Sequence, residues 1–394
     1  TMGVTDVRWV GSHRLIFRGK EEGNNIGGLF AIDADGKNSM TLAKSAAQAG
    51  AEGAHVYRYM DYLSAYGDSE TEILVTSNER RVYDPDVYRL NVHTGTKKMV
   101  AWNPGKIVDW LPDNKGAVRV GVGMEDRDLY LVYREGSKGD FKRVKTWSRD
   151  GKIDLLGFDQ ENQYIYVRSS MGRNTEAICL MDPKSGEVLN VLFEDPTYDA
   201  GALVQDRHGK LLGFGIFRER PAAVFVDEFF RKTREAIDSA LPDTYNSITS
   251  RSLDNEWFIV RAWSDRDPGT YYIFNTKQYT LEKLVARMPW LKPEQLSECR
   301  PIVYTARDGL TIHGYLTLPA GHDPKNLPLV VNPHGGPWVR DHWGFQDEVQ
   351  FLASRGYAVL QMNFRGSTGY GRKHEEAGYN QWGLAMQDDI TDGV

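Results

Sequence analysis

Turns recur through this sequence at a near-constant interval, and that spacing limits the possible folds more than any single segment does. Asp33-Ala34-Asp35-Gly36, His93-Thr94-Gly95, Arg134-Glu135-Gly136, Asp182-Pro183-Lys184-Ser185-Gly186 and Asn275-Thr276-Lys277 each follow a run that ends on an apolar residue. The 93 residues from Asp182 to Asn275 make two periods of about 46. Between the turns lie short alternating or apolar runs, among them Ile73-Leu74-Val75-Thr76, Tyr164-Ile165-Tyr166-Val167 and Trp257-Phe258-Ile259-Val260, which read as β-strands. A second register runs beside the first: segments beginning at Ile107, Ile153, Gly201 and Ser247 start 46, 48 and 46 residues apart.

A single four-stranded sheet cannot bury both of its faces, and radial stacking of such sheets solves that problem. Residues 1–286 are therefore expected to form an all-β propeller. About six blades are visible, with about seven in the parent and a first blade upstream of Thr1. A β-sandwich or a row of small β-domains explains the constant interval less well. One helix breaks the pattern. Val226 to Leu241 brings Phe229, Phe230, Thr233, Ile237 and Leu241 near one face, with Asp227 and Glu228 favourably placed at its positive end. It reads as an insertion packed on a blade; a lid is the alternative.

Composition excludes several function classes. The formal net charge is −6 with no basic stripe, which argues against nucleic acid as a partner. No apolar run reaches the length of about 18 residues that a membrane span needs. Cys179 and Cys299 are far apart and lack any C-x-x-C partner, so they form no disulfide framework and no zinc motif; two buried thiols are the expected outcome. His334 and His342 are eight residues apart without an H-x-x-x-H pair, and no metal or other cofactor is expected. Gly121-Val122-Gly123 lacks the third glycine and following helix of a nucleotide loop. Adjacent carboxylates such as Glu375-Glu376 and Asp388-Asp389 diverge by about 100° on a helix and do not converge on one bond. The chain starts as though in mid-protein, so no compartment is read from it.

After residue 286 the texture changes. Residues 287–300, with Pro289 and Pro293, read as a linker, and residues 301–394 as the N-terminal part of an α/β domain. Pro301 to Thr305 and Thr311 to Leu318 form a candidate antiparallel pair around Asp308-Gly309. Leu327 to Asn332 is a continuous apolar run of the kind buried on both faces of a sheet, His342 to Arg355 reads as a helix closed by Gly356, and Tyr357 to Met362 reads as a second apolar strand. Strand, glycine turn, helix, strand is the signature of a largely parallel sheet whose functional loops lie at the strands' carboxyl ends.

Two such loops stand out: Asn332-Pro333-His334-Gly335-Gly336-Pro337, and Asn363-Phe364-Arg365-Gly366-Ser367-Thr368-Gly369-Tyr370-Gly371. A His-Gly-Gly turn after an apolar strand offers backbone N–H groups to a developing oxyanion. On the second loop Arg365 and Tyr370 are candidate substrate-binding residues. Arg365 either anchors its loop or faces substrate, the anchoring role being preferred, and Asp388 and Asp389 are read as helix-start or salt-bridge residues.

These motifs, with Ala306 to Leu310, Gly314-Tyr315-Leu316, Trp382-Gly383 and Asp388-Asp389, resemble the prolyl oligopeptidase (S9) family of serine peptidases, and more closely its acylaminoacyl-peptidase and bacterial dipeptidyl-peptidase branch. The resemblance implies a propeller capping an α/β-hydrolase domain and gating the access of short peptides. It also implies a serine, aspartate and histidine triad in that order, all beyond Val394. No G-x-S-x-G lies within the 394 residues, so the chain alone is expected to be inactive. On the same resemblance Gly336 is the oxyanion-hole donor through its N–H, and His334 braces the turn, with donation by its ring as the alternative.

The expected function of the parent is thus serine-type proteolysis of short peptides, dipeptidyl- or acylaminoacyl-peptidase-like. A non-catalytic propeller that binds or scaffolds is the alternative. Expected partners are short peptides, the remaining hydrolase segment supplied by further residues or another chain, and a second copy in a homo-oligomer. Without that segment, the apolar strands Leu329–Val331 and Tyr357 to Leu360 are expected to leave unpaired edges.

Overall fold

The computed structural model describes residues 3–20, 27–52, 58–126, 128–148 and 151–394. Up to Ala286 it consists of six consecutive antiparallel sheets in which spatial order follows sequence order. They cover residues 3–43, 60–101, 107–147, 153–193, 200–225 and 245–286. The third to sixth sheets begin at Ile107, Ile153, Ala200 and Tyr245, 45 to 47 residues apart. These are the blades of a propeller, and they are followed by the start of an α/β-hydrolase domain.

The chain divides into two compact units. One comprises residues 1–171, 178–192 and 206–210, the other residues 172–177, 193–205 and 211–394. In the first unit, alternate residues of neighbouring sheets interlock. Ile16, Leu29 and Ala31 pack with Ile73, Val75, Leu90 and Val92, while Leu74 and Val87 pack with Ile107, Trp110, Val118 and Val132. The period-2 pattern of the strands puts one set of side chains on each face, so the second sheet contributes to both of these cores.

In the second unit the fifth sheet has three strands, and the helix Glu228–Ala240 follows the last of them. Asp227 caps it by accepting from the Phe230 N–H at 3.1 Å. Phe230 and Ile237 are buried among Leu212 of the fifth sheet and Phe258, Val260 and Phe274 of the sixth. Phe229, expected on the same face, is 43% exposed. Consecutive helical residues differ by about 100°, and Phe230 takes the inward position.

After the short 3₁₀ turn Pro293–Gln295 comes a mixed sheet in the order Cys299–Thr305, Thr311–Thr317, Ala358–Asn363, Leu329–Val331. The first three strands are antiparallel, and only Leu329–Val331 runs parallel to its neighbour Ala358–Asn363. Four expectations change here. The sheet is not largely parallel. The strand Ala358–Asn363 is central and buried at every position, so the segment at 357–360 presents no free edge. The run at 327–332 narrows to three residues on the outer edge, half-exposed because no strand covers its other side. The helix expected from His342 to Arg355 is only Asp347–Ala353. Trp343 leaves the helical register to donate its indole N–H to the Cys299 carbonyl at 3.0 Å, and Gly344 sits at φ 148°.

Both cysteines are buried and neither is in a disulfide. Burial pushes the Cys299 thiol up to about 11.

Candidate active-site loops and their supports

The edge strand Leu329–Val331 delivers the turn at 332–337 to the carboxyl end of the sheet. Its exit is fixed by the Asn332 N–H, which donates to the Leu360 carbonyl at 2.8 Å. The His334 ring stacks on Phe364 with centroids 4.7 Å apart and planes 17° from parallel. Its Nε2 lies 2.9 Å from the Ser367 hydroxyl oxygen, and that hydroxyl donates its proton to the Phe364 carbonyl at 2.6 Å. The His334 Nδ1–H donates to the Gly335 carbonyl at 2.9 Å, so both ring nitrogens are engaged within the two loops. Ser367 is completely buried. A further bond, from the Thr368 N–H to the Val339 carbonyl at 3.1 Å, closes the turn against the second loop.

Gly336 is exposed at φ 122°, and a Cβ there would press on the Trp338 nitrogen and a Val339 methyl at 3.0 Å. Only glycine follows this path without strain. Among the described residues the Gly336 N–H has no acceptor, so it stays available for an outside oxygen.

On the second loop Arg365 is buried and held by carboxylates. Its backbone N–H and Nε donate to Asp389 Oδ2 at 2.9 and 2.8 Å, and its Nη2 reaches Asp389 Oδ1 at 2.7 Å and Asp308 at 2.8 Å. The hydrogen bonds to Asp389 raise the guanidinium above its ordinary value. Asp389, fully buried, belongs to the helix Ala385–Asp392, and its carbonyl accepts from the Tyr304 hydroxyl at 2.7 Å. Asp388 pairs with Arg307 at 2.9 Å. Arg365 thus sits as a loop anchor, with its charge directed away from solvent.

Tyr370 is also buried. Its hydroxyl meets Arg340 Nη2 and Asn363 Nδ2, both at 2.7 Å, and the Arg340 guanidinium lies 4.2 Å over its ring. Arg340 continues to the carbonyls of Phe217 and Arg218 at 3.3 Å. On its other face Tyr370 stacks on His313 at 4.8 Å, where Tyr198 and Glu219 complete the group. The loop is tied at its end as well: the Asp199 N–H donates to the Gly369 carbonyl at 3.0 Å, and the Arg372 N–H to the Asn174 carbonyl at 2.8 Å. Gly371 is required here, since a Cβ would lie 2.5 Å from Asn174 Nδ2.

Asp341 connects the two loops. Its N–H donates to Asn363 Oδ1 at 2.7 Å and its carbonyl accepts from Asn363 Nδ2 at 3.2 Å. One carboxylate oxygen, Oδ2, is buried without a partner, and burial pushes the group up against the opposing influence of His334.

His334 and Gly336 therefore share one turn, and His334 touches the second loop through Ser367 and Phe364. Arg365 and Tyr370 flank that loop as supports. Sequence reasoning missed Arg340, Asn363, Ser367 and the Tyr198, Glu219 and His313 group. Asn363 and Ser367 lay inside the motif that was singled out, and their place in it was the signal available.

Residues 343–394 match the model of the prolyl oligopeptidase family. The dipeptidyl aminopeptidase BIII of Pseudoxanthomonas mexicana is 31% identical over 332 residues, covering 82% of this chain and 48% of that protein. The chain belongs to the prolyl oligopeptidase family. Another member, dipeptidyl peptidase family member 6 of Caenorhabditis elegans, is 27% identical over 358 residues, covering 83% of this chain and 48% of that protein. The chain spans about half the length of these curated prolyl oligopeptidase relatives. A solved Mycobacterium tuberculosis puromycin-hydrolyzing peptidase superposes with a TM-score of 0.65 at 19% identity, over 98% of this chain and 62% of that one. For Porphyromonas gingivalis dipeptidyl peptidase 4 the TM-score is 0.60 at 14% identity, over 99% and 66%. These structural likenesses establish the fold that prolyl oligopeptidases share.

Proposed function

We propose that this chain forms the propeller and the oxyanion side of a serine peptidase that cleaves short peptides, with the propeller gating access. Catalysis would run by acyl transfer through a covalent intermediate on a serine held outside these 394 residues. The observation that carries the reading is the Gly336 N–H, exposed and without an internal acceptor, on a turn pinned through Asn332, His334 and Thr368. A fixed donor of this kind stabilises the developing oxyanion, and losing one typically costs on the order of a hundredfold or more in rate. His334 acts here as a brace, because both of its ring nitrogens are engaged, Nδ1 with the Gly335 carbonyl and Nε2 with the Ser367 hydroxyl.

The dipeptidyl names of the relatives support removal of dipeptides over cleavage of acylated residues. A fluorophosphonate probe that reacts with activated serines tests the reading. The 394-residue chain should remain unlabelled, and a polypeptide joining it to a G-x-S-x-G segment should label. Labelling of the chain itself, or no labelling of the joined form, would overturn the assignment and leave a binding role for the propeller.

A further inference from the structure

A cavity of about 210 Å³ lies between the sixth sheet and the segment that follows the His-Gly-Gly turn. Arg261, Trp263 and Arg287 line it from one side, and His342, Trp343 and Gln346 from the other. Trp343 is a fixed wall, buried and bonded to the Cys299 carbonyl, with the Trp263 ring 5.9 Å away. The Arg261 guanidinium lies 5.5 Å from the centre of the Trp263 ring, donates to the Pro268 carbonyl at 3.2 Å, and has a buried Nε–H with no acceptor. Arg287 is exposed and anchored through its backbone, whose N–H donates to Gly269.

The two cations are not neutralised. Some arginines of this unit pair with carboxylates, as Arg218 does with Asp195, Arg300 with Glu298, Arg307 with Asp392 and Arg365 with Asp389, and others do not. Among the described residues Arg261 and Arg287 have no such partner. The carboxylate that also lines the cavity, Asp267, is turned into its own loop, where it accepts from the Gly269 N–H at 2.8 Å and the Thr270 hydroxyl at 3.2 Å. Its presence leaves the lining with one net positive charge, carried by the arginines.

We infer that this cavity is a carboxylate-binding site, with Arg261 and Arg287 gripping the carboxylate and the Trp263 and Trp343 rings packing on the carbon chain behind it. Guanidinium is matched to carboxylate because its donors lie in one plane and can bind both oxygens. The volume is below the about 300–1,000 Å³ of sites for drug-sized ligands, which suits a single residue better than a whole molecule. The carboxylate can come from the free end of a peptide or from an acidic side chain. Describing it as part of a peptide rests on the peptidase reading above; the site itself does not.

Binding to the 394-residue chain, measured by titration calorimetry, tests this without any catalytic step. Three acetylated tripeptides serve as probes: trialanine with a free carboxyl end, amidated trialanine, and an amidated tripeptide with a central glutamate. Saturable binding of the first points to the chain end, and of the third to the side chain; the neutral peptide should not bind. Arg287→Gln, an exposed change that leaves the fold intact, and Arg261→Gln should each weaken binding at least tenfold, and the double Arg→Lys variant should retain part of it. Equal binding of the neutral peptide, binding of neither acid, or unchanged affinity in Arg287→Gln would overturn the proposal. None of these results bears on serine labelling, so a failure here is separable from a failure of the peptidase reading.

Discussion

Asp389 shows how much of this site depends on one side chain. It is fully buried, and both of its oxygens are spent on Arg365. Removing one partner of a buried pair strands the other charge and typically costs about 3–5 kcal/mol. Asp389→Asn keeps the shape and removes the charge, so it should lower the unfolding free energy measured by denaturant titration by up to that range, with Asp308 still beside Arg365, whereas Asp388→Asn, on an exposed pair, should change it little. An equal effect of the two would refute the anchoring role. The anchoring of Arg365 was legible from its place after an apolar strand. Its partner was not, because it lies 24 residues away and no local pattern links the two.

At the scale of elements, the blades were the most readable part of the chain. Each is a meander of neighbouring strands, so the turns that end them appear in order along the sequence. The hydrolase segment was harder to read, since its strand order depends on a crossover, and the apolar run at 327–332 looks the same whether it ends in the middle of a sheet or on its edge. The helix Glu228–Ala240 was legible from its spacing and from its acidic start. Its cap gives a direct check: Asp227→Ala should cost about 1 kcal/mol in thermal or denaturant unfolding, with Asp227→Asn close to neutral. Loss of stability in both variants alike would mean that charge, and not the hydrogen bond to Phe230, holds the helix end.

For the whole molecule, the governing feature is the open edge at Leu329–Val331. Among the described residues its one paired neighbour is Ala358–Asn363, and Leu329 is 38% exposed. Such an edge is a template for another chain. The 394-residue protein should therefore self-associate as concentration rises, and Val330→Lys, which places a charge on that edge, should reduce the association seen by light scattering or sedimentation. A wild-type chain that stays monomeric at high concentration would show that the edge is already protected.

The brace between Arg365 and Asp389 also sets an order of events during synthesis. Each blade pairs strands next to each other in sequence, so its hydrogen bonds can form soon after it leaves the ribosome and its faces are covered as the neighbouring blade follows. The second loop cannot, because its anchor follows 24 residues later. At about 5–20 residues per second that is a delay of about one to five seconds. During that interval the Arg365 charge is without its buried counter-ion, so the loop at 363–371 takes shape after the blades and only once the helix Ala385–Asp392 has emerged.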